Sequence, residues 1–97
     1  MTQQDDLTTL RLRIEGSVQA VGFRYFAMGA ARRLGIKGWI RNRSDGTVEA
    51  LASGSTKAVE EFVANCMRGP PGARVTNIDL HQAEPPAEPG FHRRSTV

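Results

Sequence analysis

The stretch Gly16-Ser17-Val18-Gln19-Ala20-Val21-Gly22-Phe23-Arg24 has the residue types of an anion cradle. Glycines bound it and its polar positions carry little side-chain bulk, so backbone N–H groups can turn inward together and form a nest for negative charge. A helix starting at Phe23 would add unpaired N–H donors and the positive end of its dipole. Arg24 then falls in the first helical turn, where a cation is unfavourable by about 0.3–1 kcal/mol. A bound phosphate offsets that cost, because a guanidinium fork can grip two phosphate oxygens at once. The plainer alternative is a surface arginine on a glycine-containing turn. The pattern alone leaves both open.

The elements that must position this loop are legible as periodicities. Leu10-Arg11-Leu12-Arg13-Ile14 alternates strictly, as a strand with one buried face does. After the break at Gly16 to Gly22, a helix over Phe23 to Leu34 puts Phe23, Phe26, Ala27, Ala30, Ala31 and Leu34 on one stripe, with Gly35 just past its end as a left-handed cap. Ile36 to Asn42 and Thr47 to Ala52 form a predicted hairpin around the Asp45-Gly46 turn, with a loop of four or five residues. Trp39 and Ile40 alternate, so one faces the core and the other the opposite sheet face. Ser55 or Thr56 caps a second helix with the apolar stripe Val59, Phe62, Val63, Cys66 and Met67, and Gly69-Pro70-Pro71-Gly72 stops it. Arg74 to His81 reads as a fourth strand whose imperfect alternation leaves room for a bulge. Glu84 to Gly90 is Pro-rich and extended, and Phe91 to Thr96 can add a short fifth edge strand. The expected fold is therefore α+β, a ferredoxin-like βαββαβ two-layer sandwich with two helices on one face of an antiparallel sheet. Residues 1–8 are expected to be a flexible tail, and 9–97 the domain.

Ninety-seven residues allow one hydrophobic core. The net charge of +3 is unevenly spread: Arg11 to Arg43 holds eight Lys or Arg against Glu15 alone, +7, and the remainder holds five against nine acids, −4. Such a bias creates a local field that draws anions, without choosing between phosphate, nucleic acid and acidic protein. The single cysteine, Cys66, excludes an internal disulfide or a cysteine-based zinc site, and as part of an apolar helix stripe it reads as a buried small hydrophobe. His81 and His92 have no partner at metal-ligand spacing, so no metal and no cofactor are expected. No apolar run approaches the roughly 20 residues of a membrane helix. The polar, acidic start Met1 to Thr9 resembles neither a secretory signal nor a transit peptide. A cytoplasmic monomer that binds neither membrane nor nucleic acid is the expectation.

The run Val18-Gln19-Ala20-Val21-Gly22-Phe23-Arg24 resembles the acylphosphatase signature, V-Q-G-V-x-F-R with a glycine two positions earlier. Gly38-Trp39-Ile40-Arg41-Asn42, followed by Gly46-Thr47-Val48 and Gly54, is similar to a second signature of that family. Gly69-Pro70-Pro71-Gly72-Ala73-Arg74-Val75 is a third likeness, so the resemblance extends from Leu10 to Leu80. It implies hydrolysis of the carboxyl–phosphate bond of a small acyl phosphate, releasing a carboxylate and inorganic phosphate without metal or cofactor. It further implies that Arg24 and loop amides from Gly16 through Phe23 hold the phosphate, and that Asn42 positions the attacking water. Ala20 stands where the family usually has glycine, Ile40 where a smaller residue is usual, and Arg93 where an aliphatic residue is expected.

Leaving-group chemistry agrees with that implication. A carboxylate, whose parent acid has a pKa of about 4, departs without a proton. An alkoxide calls for a general acid or a metal, and the motif regions contain no His, Cys or ligand cluster to supply one. Two other readings compete. One is a catalytically weak or silent anion-binding domain, which Ala20 keeps open. The other is a nucleic-acid module of the same topology, for which Trp39 is the lone stacking candidate where such readers need aromatics on their central strands.

Overall fold

Strict alternation makes Leu12 and Ile14 fully buried and leaves Arg11 and Arg13 exposed, and the sheet extends on both sides of that strand. The computed structural model describes residues 6–97. Its elements run β1 (Leu7–Ser17), α1 (Phe23–Arg33), β2 (Lys37–Asn42), β3 (Val48–Ser55), α2 (Thr56–Arg68), β4 (Arg74–Gln82) and β5 (Phe91–Arg93). The sheet order is β4-β1-β3-β2-β5. The first four strands pair antiparallel as expected, but β5 joins β2 in parallel, so the sheet is mixed rather than purely antiparallel.

β1 is longer at its start than its hydrophobic alternation shows. Leu7, Thr8 and Thr9 pair with Ser55, Gly54 and Ser53 of β3, and the Thr9 and Ser53 hydroxyls meet at 2.7 Å. Leu7 and Thr8, expected in a tail over 1–8, are therefore strand. The Asp6 carbonyl accepts from the Thr56 amide at 2.8 Å, and residues 1–5 of that stretch lie outside the described residues. The irregularity expected in β4 is present: Glu15 faces Asn77 and Gly16 faces Val75, leaving Thr76 as the extra residue.

The two helices cover one face of the sheet. α1 buries Phe23, Ala27, Ala30 and Ala31, and α2 buries Val59, Phe62 and Cys66. Phe62 packs on Phe91 of β5 with ring centroids 5.7 Å apart, within the range of a favourable tilted aromatic pair. The Ser55 side chain caps α2 by accepting from the Ala58 amide at 3.1 Å, and Gly35 takes φ +70 beyond α1. Met67 departs from the predicted stripe and is about half exposed, at 49%, because it sits at the margin of a face centred on Phe62 and Cys66. Ile40 is buried, and Trp39 lies on the other sheet face against the guanidiniums of Arg41 and Arg94, at 4.8 and 5.1 Å from its ring.

That open face is held by charge. Glu49 lies opposite Arg41 in the β2–β3 register, accepts from Arg41 Nε at 2.8 Å and Arg43 Nη1 at 2.9 Å, and is itself buried. Burial pushes the Glu49 pKa up, but the hydrogen bonds and charges of Arg41 and Arg43 outweigh it and leave it below the ordinary carboxylate value. Asp45 is lowered to about 2, first by the Thr47 hydroxyl and then by the Thr47 amide. Depressed carboxyl pKa values mean that the unfolded chain binds more protons in acid, so stability present above the unfolded pKa is lost as pH falls through the folded value. Urea midpoints should therefore decline below about pH 5, and Glu49→Gln should flatten that decline. Parallel curves for the two proteins would show that Glu49 does not contribute to it.

Candidate active site

The nest follows from backbone handedness. Among the described residues Ala20 is the one non-glycine with positive φ, at +61, and Gly22 follows at +76 with Val21 between them at negative φ. Successive peptides of alternating hand direct their N–H groups to one side, which is the geometry of an anion nest. The loop is anchored at both ends. Gly16, at φ +127, passes so close to β4 that a Cβ would lie 2.0 Å from the Arg74 carbonyl oxygen. Val18 is buried, as is Phe23, which opens α1. Gly22 caps that helix without a side chain, and no acid occupies the first turn, so its N-terminal donors face the loop without an internal counter-charge.

The second segment of the site is the end of β2. Asn42 pairs with Val48, and its carbonyl accepts from the Val97 amide at 3.3 Å. The Ser44 amide donates to the Val97 main-chain oxygen at 2.7 Å, so Val97 brackets the turn. The Gln19 side chain ties the two segments together: its Nε2 donates to the carbonyls of Arg43 and Thr47, both at 2.8 Å.

These segments enclose a cleft of about 120 Å³, walled by Val18, Ala20, Gly22, Phe23, Arg24, Tyr25, Asn42 and Arg93. Its volume equals about four waters at liquid density, suited to a small anion and well below the roughly 300 Å³ at which drug-sized sites begin. Arg24 is half-buried and its guanidinium forms no hydrogen bond or ion pair among the described residues. Asn42 Oδ1 is the one buried side-chain polar atom there without a partner, a state that costs about 1–3 kcal/mol. Among the described residues no carboxylate side chain lines the cleft.

The expected site residues divide accordingly. Arg24 and Asn42 meet in the cleft with Val18, Ala20, Gly22 and Phe23. Gly16, Ser17, Gln19 and Val21 are not among its walls: Gly16 and Ser17 belong to β1, Gln19 is the brace, and Val21 turns to a groove beside Met28 and Pro70. Tyr25 and Arg93 line the cleft without having been expected there. Arg93 left a signal, an arginine in an aliphatic position; Tyr25 left none.

A larger depression of about 280 Å³ lies on the open sheet face, but its Arg13 and Arg43 are already paired with Asp45 and Glu49. Burial pushes the Cys66 thiol to about 12, which keeps it from serving as a nucleophile. Among the described residues no three His, Cys, Asp or Glu side chains gather as a metal site, and no helix is long and apolar enough to cross a membrane.

A βαββαβ sandwich with two helices on one face of the sheet defines the ferredoxin-like class, which hosts many activities. Within it, the sequence profile of the Acylphosphatase family matches residues 10–93. An acylphosphatase from Acidiphilium cryptum (strain JF-5) is 56% identical over 85 residues, covering 88% of this chain and 93% of that one. The crystal structure of acylphosphatase from Bacillus subtilis superposes with a TM-score of 0.85 at 36% identity, over 92% of this chain and 99% of that one. An acylphosphatase from Coxiella burnetii gives 0.87 at 28% identity, over 96% and 100%. The chain belongs to the acylphosphatase family of hydrolases.

The positive φ at Ala20 answers the question its sequence raises. A left-handed L-residue costs about 1–2 kcal/mol, partly offset here because glycine loses more entropy on folding. Ala20→Gly should therefore raise stability by about 0.5–1 kcal/mol, read as a higher melting midpoint. An unchanged or lower midpoint would show that Ala20 carries no strain.

Proposed function

We propose that the chain hydrolyses the carboxyl–phosphate bond of small acyl phosphates to a carboxylate and inorganic phosphate. The observation that carries this reading is that Arg24 and the unpaired amide of Asn42, distant in sequence, wall one small cleft beside the nest. Arg24 and the loop amides hold the phosphoryl oxygens. Asn42 cannot act as a base, but its carbonyl accepts a hydrogen bond from water and aims the water oxygen at phosphorus. A half-turn about the terminal bond exchanges the near-isosteric oxygen and nitrogen of the amide and presents the carbonyl to the cleft. Water attacks opposite the carboxylate: the new P–O bond forms, the bond to the acyl oxygen breaks, and the acyl oxygen keeps the electron pair. A phosphoryl oxygen takes the water proton, and the carboxylate leaves unprotonated because its parent acid is strong enough. Phosphoryl transfer of this kind depends on positioning and charge stabilisation, which an arginine, a nest and an amide provide. No metal ion enters the scheme.

The nucleic-acid reading loses support from Trp39, whose ring already has two guanidiniums against it where a base would need to stack. The silent anion-binding reading differs from ours only in turnover.

Benzoyl phosphate hydrolysis should persist in excess EDTA, with inorganic phosphate as a competitive inhibitor. Arg24→Ala should abolish phosphate binding and turnover together. Asn42→Ala should retain phosphate binding and lose about 10²–10³ of kcat, the range for removing one transition-state hydrogen-bonding group. Loss of activity with chelator would overturn the metal-free scheme. Full activity in Asn42→Ala would remove its role with water, and phosphate binding without any hydrolysis would establish the silent domain.

A further inference from the structure

The parallel register of β5 places an additional cation at the cleft. Phe91, His92 and Arg93 lie opposite Gly38, Trp39 and Ile40. Side chains alternate along a strand, so Phe91 and Arg93 share the helix-covered face with Ile40 and, two residues on, Asn42. Phe91 is buried against Phe62, which fixes this phase of the alternation. The backbone around Arg93 is fastened on three sides: Gly38 N donates to Gly90 O at 3.0 Å, Arg94 N to Ile40 O at 2.9 Å, and Arg32 Nη2 to Phe91 O at 3.1 Å. Arg93 emerges from that frame as a wall of the same cleft as Arg24 and Asn42. Among the described residues its guanidinium forms no hydrogen bond or ion pair, whereas that of the neighbouring Arg94 lies over Trp39 and faces Glu88 at 3.9 Å.

We propose that Arg93 is a second phosphate-binding guanidinium, acting with Arg24 on the dianionic phosphoryl group of the substrate and on the phosphate product. This rests on the cleft being the acyl phosphate site proposed above. A phosphoryl group with its second pKa near 6 carries almost two negative charges at neutral pH. Two unpaired guanidiniums in a cleft with no acid match that charge. Arg93 is exposed and Arg24 is half-buried, so Arg24 holds the reacting group in place while Arg93 closes over it from the rim. A contact that is equally strong to substrate, transition state and product tightens binding without accelerating the chemical step. Arg93 therefore sets KM and product retention rather than kcat.

The test replaces Arg93 with Ile, which suits a strand, and with Lys, which keeps the charge. Inorganic phosphate binding is measured by calorimetry, and benzoyl phosphate kinetics are measured in parallel. Arg93→Ile should raise the phosphate Kd and the KM by about two- to fivefold, the range for an exposed ion pair, while kcat holds or rises. Arg93→Lys should recover part of the affinity, and the wild-type Kd should rise with ionic strength more steeply than that of Arg93→Ile. Unchanged phosphate affinity in Arg93→Ile overturns the proposal. A weaker affinity that Lys does not improve, together with a lowered melting midpoint, also overturns it, by assigning Arg93 to holding the edge strand. Because phosphate binding needs no turnover, a wild-type protein that binds phosphate through Arg93 but hydrolyses nothing would defeat the proposed activity alone.

Discussion

One carboxamide holds the site in register. The loop that bears Arg24 and the strand end that bears Asn42 are joined by Gln19, which donates to the Arg43 and Thr47 carbonyls across the hairpin mouth. Those carbonyls flank a turn already closed by the Arg43 amide on Thr47 and by Thr47 on Asp45. The brace therefore reaches a stiff object, and its two bonds transmit the position of one segment to the other. In the reaction proposed above, the brace would give a phosphoryl group at the loop and a water on Asn42 a defined separation, and a displacement of about 1 Å in such an arrangement costs about a hundredfold in rate.

The second organising fact is the partition of charge between the two ends of the molecule's chemistry. On the open sheet face most arginines are matched to acids, Arg41 and Arg43 to Glu49, and Arg13 to Glu15, Asp45 and Asp79, while Arg11 forms no ion pair among the described residues. At the cleft, arginines are left unmatched and the wall contains no acid. A basic chain thus does not expose positive charge uniformly. It pairs most arginines of the open face with acids and leaves Arg24 and Arg93 unpaired at the cleft, where the proposed phosphate would bring the counter-charge.

Much of this was legible in the sequence because it is carried by periodicity. Alternation gave β1 its buried face through Leu12 and Ile14, and the helix stripes around Ala27 and Phe62 found the core. The loop from Gly16 to Arg24 announced itself by glycines and a misplaced cation. What stayed hidden depends on pairing across space. Periodicity says which face a residue occupies but not which strand lies beside it, so the parallel docking of β5, and with it the place of Arg93, had no local sign beyond an unusual residue type. Leu7 to Thr9 lack a one-sided apolar pattern and become strand through their register with β3. Gln19 entered the reading through its loop amide; that its side chain also works as a strut appears only in its three-dimensional meeting with the Arg43 and Thr47 carbonyls.

Thr76, the extra residue in β4, has a consequence for the molecule's behaviour in a crowd. With β5 covering β2, β4 forms the other border of the sheet. An uncovered border offers unpaired amides and carbonyls to any extended chain that drifts alongside, the usual route to strand-by-strand aggregation. The bulge at Thr76 twists that border out of the straight spacing another strand requires, and Arg74, Asn77 and Asp79 place polar and charged groups along it. The same irregularity that lets Gly16 pass beneath the Arg74 carbonyl at the mouth of the loop thus also guards the sheet against growth.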